Sequence, residues 1–189
     1  ITGATKGIGL ACAERLQKEG ATICCIQRSH SNLFDSFEFD LIKEEGCSNS
    51  IKAIIKKYGC IDVLINNAGM MKESSMQDTT LETWNQTLAL NLTAPFLLSK
   101  LAMPFLIKSK GCIVNIGSIE GLGANPNHAA YCASKAGLHG LTRATAIDHG
   151  KDGVRCNAVA PGWIDTELNE EFIKSMPNPK HFRENIGNI

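Results

Sequence analysis

Apolar residues recur along this chain in two alternating rhythms. Short continuous runs at residues 21–26, 61–65, 112–116 and 154–160 are rich in β-branched side chains and bounded by glycine, asparagine or proline. Such runs are those of strands buried on both faces. Between them, apolar positions return at helical spacing over residues 8–19, 50–58, 80–110 and 131–149. Gly20, Gly59 and Gly150 stand where helices close on a glycine. Thr79 with Glu82 predicts a capping box for the third helix, and Pro95 inside it predicts a kink near Asn91. Ile1 reads as the stub of a first strand. Residues 29–38 are polar and too short for a crossover helix, and residues 38–41 predict a short strand ending. Strands alternating with helices predict an α/β fold: three layers around a doubly wound parallel sheet. The chain opens on a strand residue and stops at Ile189 without a closing element, so the pattern predicts a fragment truncated at both ends, with residues 1–189 forming a single domain.

Composition narrows the function classes. Nineteen basic and nineteen acidic residues cancel, which gives no argument for nucleic acid or an anionic membrane as partner. No apolar run is read as a membrane span. The 8 cysteines are scattered without a C-x-x-C pair, so zinc and thioredoxin-type chemistry are not expected, and no metal site is. They read as reduced thiols of a cytoplasmic protein.

Three constellations carry chemistry. Thr2-Gly3-Ala4-Thr5-Lys6-Gly7-Ile8-Gly9 is a glycine turn between a strand and a helix. Such a turn lets the backbone approach a pyrophosphate at a helix N-terminus; a plain tight turn is the bland alternative. Tyr131 and Lys135, four residues apart, share one helical face. A phenol has a free pKa of about 10, and an ammonium in a closed site favours its ionised form; a surface pair is the alternative. Ser118 follows the strand at 112–116, at the end of a parallel sheet where ligands bind.

Together these residues resemble the short-chain dehydrogenase/reductase family in its single-domain branch, over nearly the whole chain. Asn66-Asn67-Ala68-Gly69 resembles the family's N-N-A-G motif, and Asp62 the acidic strand residue before it. Asn91, Ser118, Tyr131 and Lys135 fall where the family's catalytic tetrad falls. The resemblance implies a Rossmann fold and hydride transfer between a nicotinamide cofactor and a carbonyl or secondary alcohol. It implies that Tyr131 moves the proton, Ser118 orients the oxygen, Lys135 lowers the Tyr131 pKa and bonds the ribose, and Asn91 holds a relay water. It places the cofactor on Gly3, Thr5, Lys6, Gly7, Ile8 and Gly9, on Arg28, Asp40 and Leu41, on Asn67, Ala68 and Gly69, and on Tyr131, Lys135, Pro161, Gly162, Ile164 and Thr166. Asp40 resembles the acceptor for the adenine amino group.

The resemblance also carries departures and finer expectations. The helix after the second strand is missing, and the family's last strand and most of its substrate lid, which would begin near Thr166, are absent. Gln27 stands where NAD-preferring relatives carry an acidic residue; with Arg28 and Lys6 beside it, NADP(H) is favoured and NAD(H) possible. A homodimer, or a homotetramer in the full-length protein, is expected through helices 80–110 and 131–149, whose exposed faces would carry Leu88, Leu92, Phe96, Leu138 and Leu141. The substrate stays open among 3-oxoacyl thioesters, steroids and sugars. Glu120, Asn125 and His128 either favour a polar substrate such as a sugar acid or are solvated loop residues, and Met70 and Met71 either line the pocket or pack. A non-catalytic NADP-binding regulator and an inactive fragment are the alternatives to an enzyme.

Overall fold

The computed structural model describes residues 1–164, 166, 170–175 and 177–185. Among the described residues, five strands are each parallel to their neighbours. β1 (Cys24–Gln27) pairs with β2 (Asp35–Glu38), and β3 (Val63–Asn66), β4 (Cys112–Ile116) and β5 (Arg155–Val159) pair in that order. Residues 1–3 join the two groups. Thr2 bridges Ile26 in parallel, Ile26 N donates to Ile1 O at 2.9 Å, Gly3 N donates to Ile26 O at 2.9 Å, and Thr2 N donates to Ile65 O at 3.0 Å. Residues 1–3 therefore sit at the centre of the sheet. Successive strands are added on one side of them as far as β2, and on the other side from β3 onward. The crevice at that reversal is where open α/β sheets bind ligands.

The crossover helix that the sequence denies between β1 and β2 is absent: residues 28–34 cross without one. The strand that follows is Asp35–Glu38 rather than residues 38–41. Its polar residues are tolerated at a sheet edge because they are paired: Ser36 Oγ accepts from Gln27 Nε2 at 2.9 Å, and Asp35 meets Lys57 at 2.6 Å.

The helices α1 (Gly7–Lys18), α2 (Glu44–Tyr58), α3 (Leu81–Leu88), α4 (Ala94–Ser109) and α5 (Ala129–His149) pack around the sheet. Helix α2 begins six residues before the expected start at residue 50, with Glu44 and Glu45 in its first turn, where acidic charge suits the helix dipole. Gly59 closes it in the left-handed region, φ +74°. The cap of α3 is Thr80, not Thr79: its Oγ1 accepts from Thr83 N at 3.1 Å, and Glu82 turns instead to Gln86 at 3.1 Å.

The expected break before Pro95 takes the form of a five-residue π-helical turn, Ala89–Thr93, between α3 and α4. It turns Asn91 inward, to 1% exposure. Contrary to the expectation of no such run, the stretch Leu81–Ser109 is long and apolar enough to cross a membrane by length and composition. Its inward residues Leu98, Ala102, Met103 and Leu106 belong to the main core, with Ile26, Leu64, Ile113 and Val154 of the strands and their approaches. That packing accounts for its apolar character. Leu138, expected on an exposed face, is buried at 1% because it faces inward on α5. The C-terminal part, where the sequence analysis expected no closing element, holds α6 (Glu170–Ser175) and α7 (Pro179–Asn185). The expected lid segment after Thr166 lies partly outside the described residues.

Candidate active site

The glycine turn is shaped by close approach. Gly3 and Gly7 have φ of +65° and +58°. A Cβ on Gly9 would lie 2.2 Å from Gly3 O and 2.4 Å from Asn67 Nδ2, so only glycine lets α1 start against the turn. Asn67 Nδ2 donates to Thr2 O at 2.9 Å and to Gly3 O at 2.8 Å, while the amides of Asn67 and Ala68 donate to Thr2 Oγ1, each at 2.9 Å. Asn66 ties β3 to β4 through Asn115 Oδ1 at 2.8 Å. The two motifs that lie 64 residues apart in sequence thus form one hydrogen-bonded unit.

A cleft of about 680 Å³ opens on this unit. Gly3, Thr5, Lys6, Gly7, Ile8 and Gly9 line it. Arg28, Asp40, Leu41, Asn67, Ala68, Gly69 and Thr166 line it as well. The N-cap of α1 is Lys6, whose side chain makes no capping bond, so the positive end of the helix faces the cleft without a side-chain acceptor over it. Gln27 lines the cleft too. Its Nε2 is used on Ser36, while its Oε1 is buried without a hydrogen-bond partner. Met70 and Met71 line the cleft as well.

A second, smaller pocket adjoins Ser118 and Tyr131 and is lined also by Met71, Glu120, Pro161, Gly162 and Trp163. Pro161 and Gly162 therefore fall on this side rather than in the large cleft. Ile164, 43% exposed, lines neither. Ser118, Tyr131 and Lys135 are buried to 7%, 8% and 4% exposure. The Ser118 hydroxyl shares the small pocket with the Tyr131 phenol and accepts from Glu120 N at 3.1 Å. Lys135 Nζ donates to Ile116 O at 2.7 Å and lies 5.6 Å from the centre of the Tyr131 ring.

Burial pushes the Lys135 amine down to about 8. Burial also raises the Tyr131 phenol, against the Ser118 hydrogen bond, and the Glu120 carboxylate raises it further. Among these causes desolvation of the phenol is the largest.

Asn91 serves the backbone of the N-N-A-G turn. Its Oδ1 accepts from Met70 N at 2.9 Å, and its Nδ2 donates to Met70 O at 2.9 Å and to Ser134 Oγ at 3.0 Å. His139, which no motif singled out, lies one turn beyond Lys135 on α5. Ser118 N points at its Nε2 at 3.5 Å, and a Cβ on Gly117 would lie 2.4 Å from the same atom. Glu120 and His128 are not solvated: they are 7% and 2% exposed and bonded to each other.

Fold and site define a Rossmann-type oxidoreductase that uses a dinucleotide. The family model for short chain dehydrogenases matches residues 1–177, and the chain belongs to that family. It is 36% identical to a meso-2,3-butanediol dehydrogenase of Serratia marcescens, over 99% of this chain and 79% of that one. Among solved structures it resembles a 4-hydroxyisoleucine dehydrogenase complexed with NADH, with TM-score 0.87 and 34% identity, covering 93% of this chain and 76% of that one. It also resembles a proposed NAD(P)-dependent gluconate 5-dehydrogenase from Beutenbergia cavernae with bound NADP at low occupancy, with TM-score 0.87 and 30% identity over 93% and 75% of the two chains. The chain is an NAD(P)-dependent oxidoreductase that transfers hydride between a nicotinamide cofactor and an alcohol or carbonyl.

Proposed function

We propose that Tyr131, Ser118, Lys135 and Asn91 carry out the proton chemistry of a secondary-alcohol dehydrogenase or carbonyl reductase. The observation that carries this reading is the burial of Ser118 and Tyr131 together on the small pocket, with Lys135 Nζ 5.6 Å from the Tyr131 ring centre. The nicotinamide ring supplies or accepts the hydride at the substrate carbon when bound. Ser118 holds the substrate oxygen. Tyr131 gives that oxygen a proton during reduction and removes it during oxidation. Lys135, held by Ile116 O, adds positive charge near the phenol and reaches for the cofactor ribose. Asn91 fixes the turn at Met70 and, as the resemblance implies, holds a relay water. The uncapped start of α1 and residues 3–9 receive the pyrophosphate, and Asp40 and Leu41 the adenine.

NADP(H) is the preferred cofactor in this reading, because the cations Arg28 and Lys6 line the cleft together with Gln27, which stands where a carboxylate would. A second reading, NAD(H), is favoured by the buried Gln27 Oε1, an acceptor that suits a bare ribose hydroxyl. The protein acts on a small molecule, in the cytoplasm, where eight free thiols persist. It forms a single catalytic domain that assembles at least as a homodimer. The pairing faces are α3–α4 and α5, with Phe96 46% exposed and Leu138 no longer among the contacts. The test is a panel of vicinal diols, aldohexoses, hydroxysteroids and 3-oxoacyl thioesters with both cofactors, followed by absorbance of the reduced nicotinamide. Turnover of none of them with either cofactor overturns the reading, and a concentration-independent monomer mass by light scattering overturns the dimer.

A further inference from the structure

The loop from Ser118 to Tyr131 is closed by one buried carboxylate. Glu120 follows Ser118 in a short 3₁₀ turn, Ile119–Gly121, and its amide is capped by the Ser118 hydroxyl. Its Oε2 lies 2.8 Å from His128 Nδ1 and accepts from Cys132 Sγ at 3.5 Å, and its Oε1 accepts from Asn125 Nδ2 at 3.0 Å. The three partners come from the far end of the loop and from the first turn of α5, on either side of Tyr131. The His128 ring meets the Tyr131 ring edge-on, with centres 6.3 Å apart. From the other side the segment after N-N-A-G packs on the same place: Ser74 N donates to Asn127 O at 2.8 Å. None of these bonds is required to hold Tyr131 and Lys135 on one helical face, which α5 does by itself. What they fix is where the Ser118 end of the loop stands relative to the Tyr131 end.

Charge makes the pair more than a tie. A lone carboxylate beside Tyr131 opposes formation of the phenolate. The imidazole bonded to that carboxylate is raised above its ordinary value by it, and Glu73 raises it further. The Glu120 carboxyl is held below its ordinary value by the His128 and Asn125 hydrogen bonds, against its own desolvation. Both directions favour the ion pair. The other groups that face the phenol are Ser118, Cys132 and Lys135.

We propose that Glu120 and His128 are positioning residues for the reaction: their buried carboxylate–imidazole pair ties together the two ends of the loop that carries Ser118 and Tyr131, and cancels within itself the negative charge that Glu120 places beside the phenol. The proposal rests on the assignment of Tyr131 as the proton carrier, but its test needs no substrate. Tyrosine is labelled for NMR, the Tyr131 signal is assigned by its loss in Tyr131→Phe, and its titration is followed in the protein saturated with oxidised NADP or NAD. Glu120→Gln removes the charge and moves the Tyr131 titration to lower pH. His128→Asn keeps a donor at the position of Nδ1 but leaves the carboxylate unbalanced, and moves the titration to higher pH. A merely structural role loosens the loop in both variants, admits water, and moves both titrations to lower pH. Shifts of the same sign, or no shift in either variant, overturn the proposal. Unchanged cofactor affinity in each variant shows that the fold is kept, and failure of the substrate panel leaves these readings intact.

Discussion

Lys135 donates its ammonium to the carbonyl of Ile116 at 2.7 Å, two residues before Ser118. The strand that delivers the hydroxyl thus also holds the cation. The charge and the hydroxyl come from different elements, α5 and the end of β4, and this bond sets their separation. It also gives one acceptor to a lysine at 4% exposure, whose burial cost remains.

Replacing Tyr131 by Phe removes the proton carrier and leaves the cleft untouched. Turnover is expected to fall by about 100- to 10,000-fold, the range of general acid–base catalysis, with cofactor affinity nearly unchanged. Steady-state rates together with fluorescence titration of the reduced cofactor check both halves. Lys135→Met is expected to weaken both, and a loss below about tenfold in Tyr131→Phe sinks the assignment.

The same lysine makes stability depend on pH. Its folded value is about 8 against an ordinary 10.5, so between these values the unfolded chain holds a proton that the folded chain has released. Stability from this group therefore rises as pH rises from about 8 towards 10.5, and its burial cost is fully present below about 8. Cys47 and Cys156, raised to about 11 by burial, act in the opposite direction above their ordinary 9.0. The clean measurement is the difference in urea midpoint between the unmodified protein and Lys135→Met. The stability advantage of the variant is expected to be largest below about pH 8 and to shrink by on the order of 2–3 kcal/mol towards the ordinary lysine value. A difference independent of pH contradicts it.

Gly117 and His139 fit as a pair. A Cβ at Gly117 lies 2.4 Å from His139 Nε2, so Gly117→Ala must displace the ring and, with it, the segment that carries Ser118. Overpacking of this kind costs about 1–3 kcal/mol. His139→Ala empties the space, and the double variant is expected to recover most of the loss. Denaturant midpoints of the three variants form the cycle, and strict additivity rules the coupling out.

Cofactor choice turns on Gln27 and Arg28. Gln27→Asp with Arg28→Ile is expected to shift preference towards NADH, because it offers a carboxylate to the ribose hydroxyls and removes a cation from a phosphate. Each charge-assisted hydrogen bond contributes about 1.5–3 kcal/mol, so the ratio of kcat/KM for the two cofactors should change by at least tenfold. Equal or better efficiency with NADH in the unmodified protein favours the reading based on the buried Gln27 Oε1 instead.

Much of this molecule is local and was legible in the sequence. The strand Cys112–Ile116 falls where its apolar run lies, the glycine turn opens α1, and the Tyr131–Lys135 spacing puts both on one face, because period and turn chemistry act over a few residues. Tertiary structure decided what needs partners far along the chain. Asp35 and Ser36 join a strand because Lys57 and Gln27 pair with them, and α2 gains its polar first turns because Gly46 packs against the backbone of Asp40. The 29-residue apolar helical stretch is an element of the core because the sheet covers its inner face. Glu120 and His128, polar and eight residues apart in a loop, read equally well as solvated. Only the packing of the loop against residues 72–75 and α5 removes their water, and desolvation is a property of the folded surroundings that no local pattern encodes.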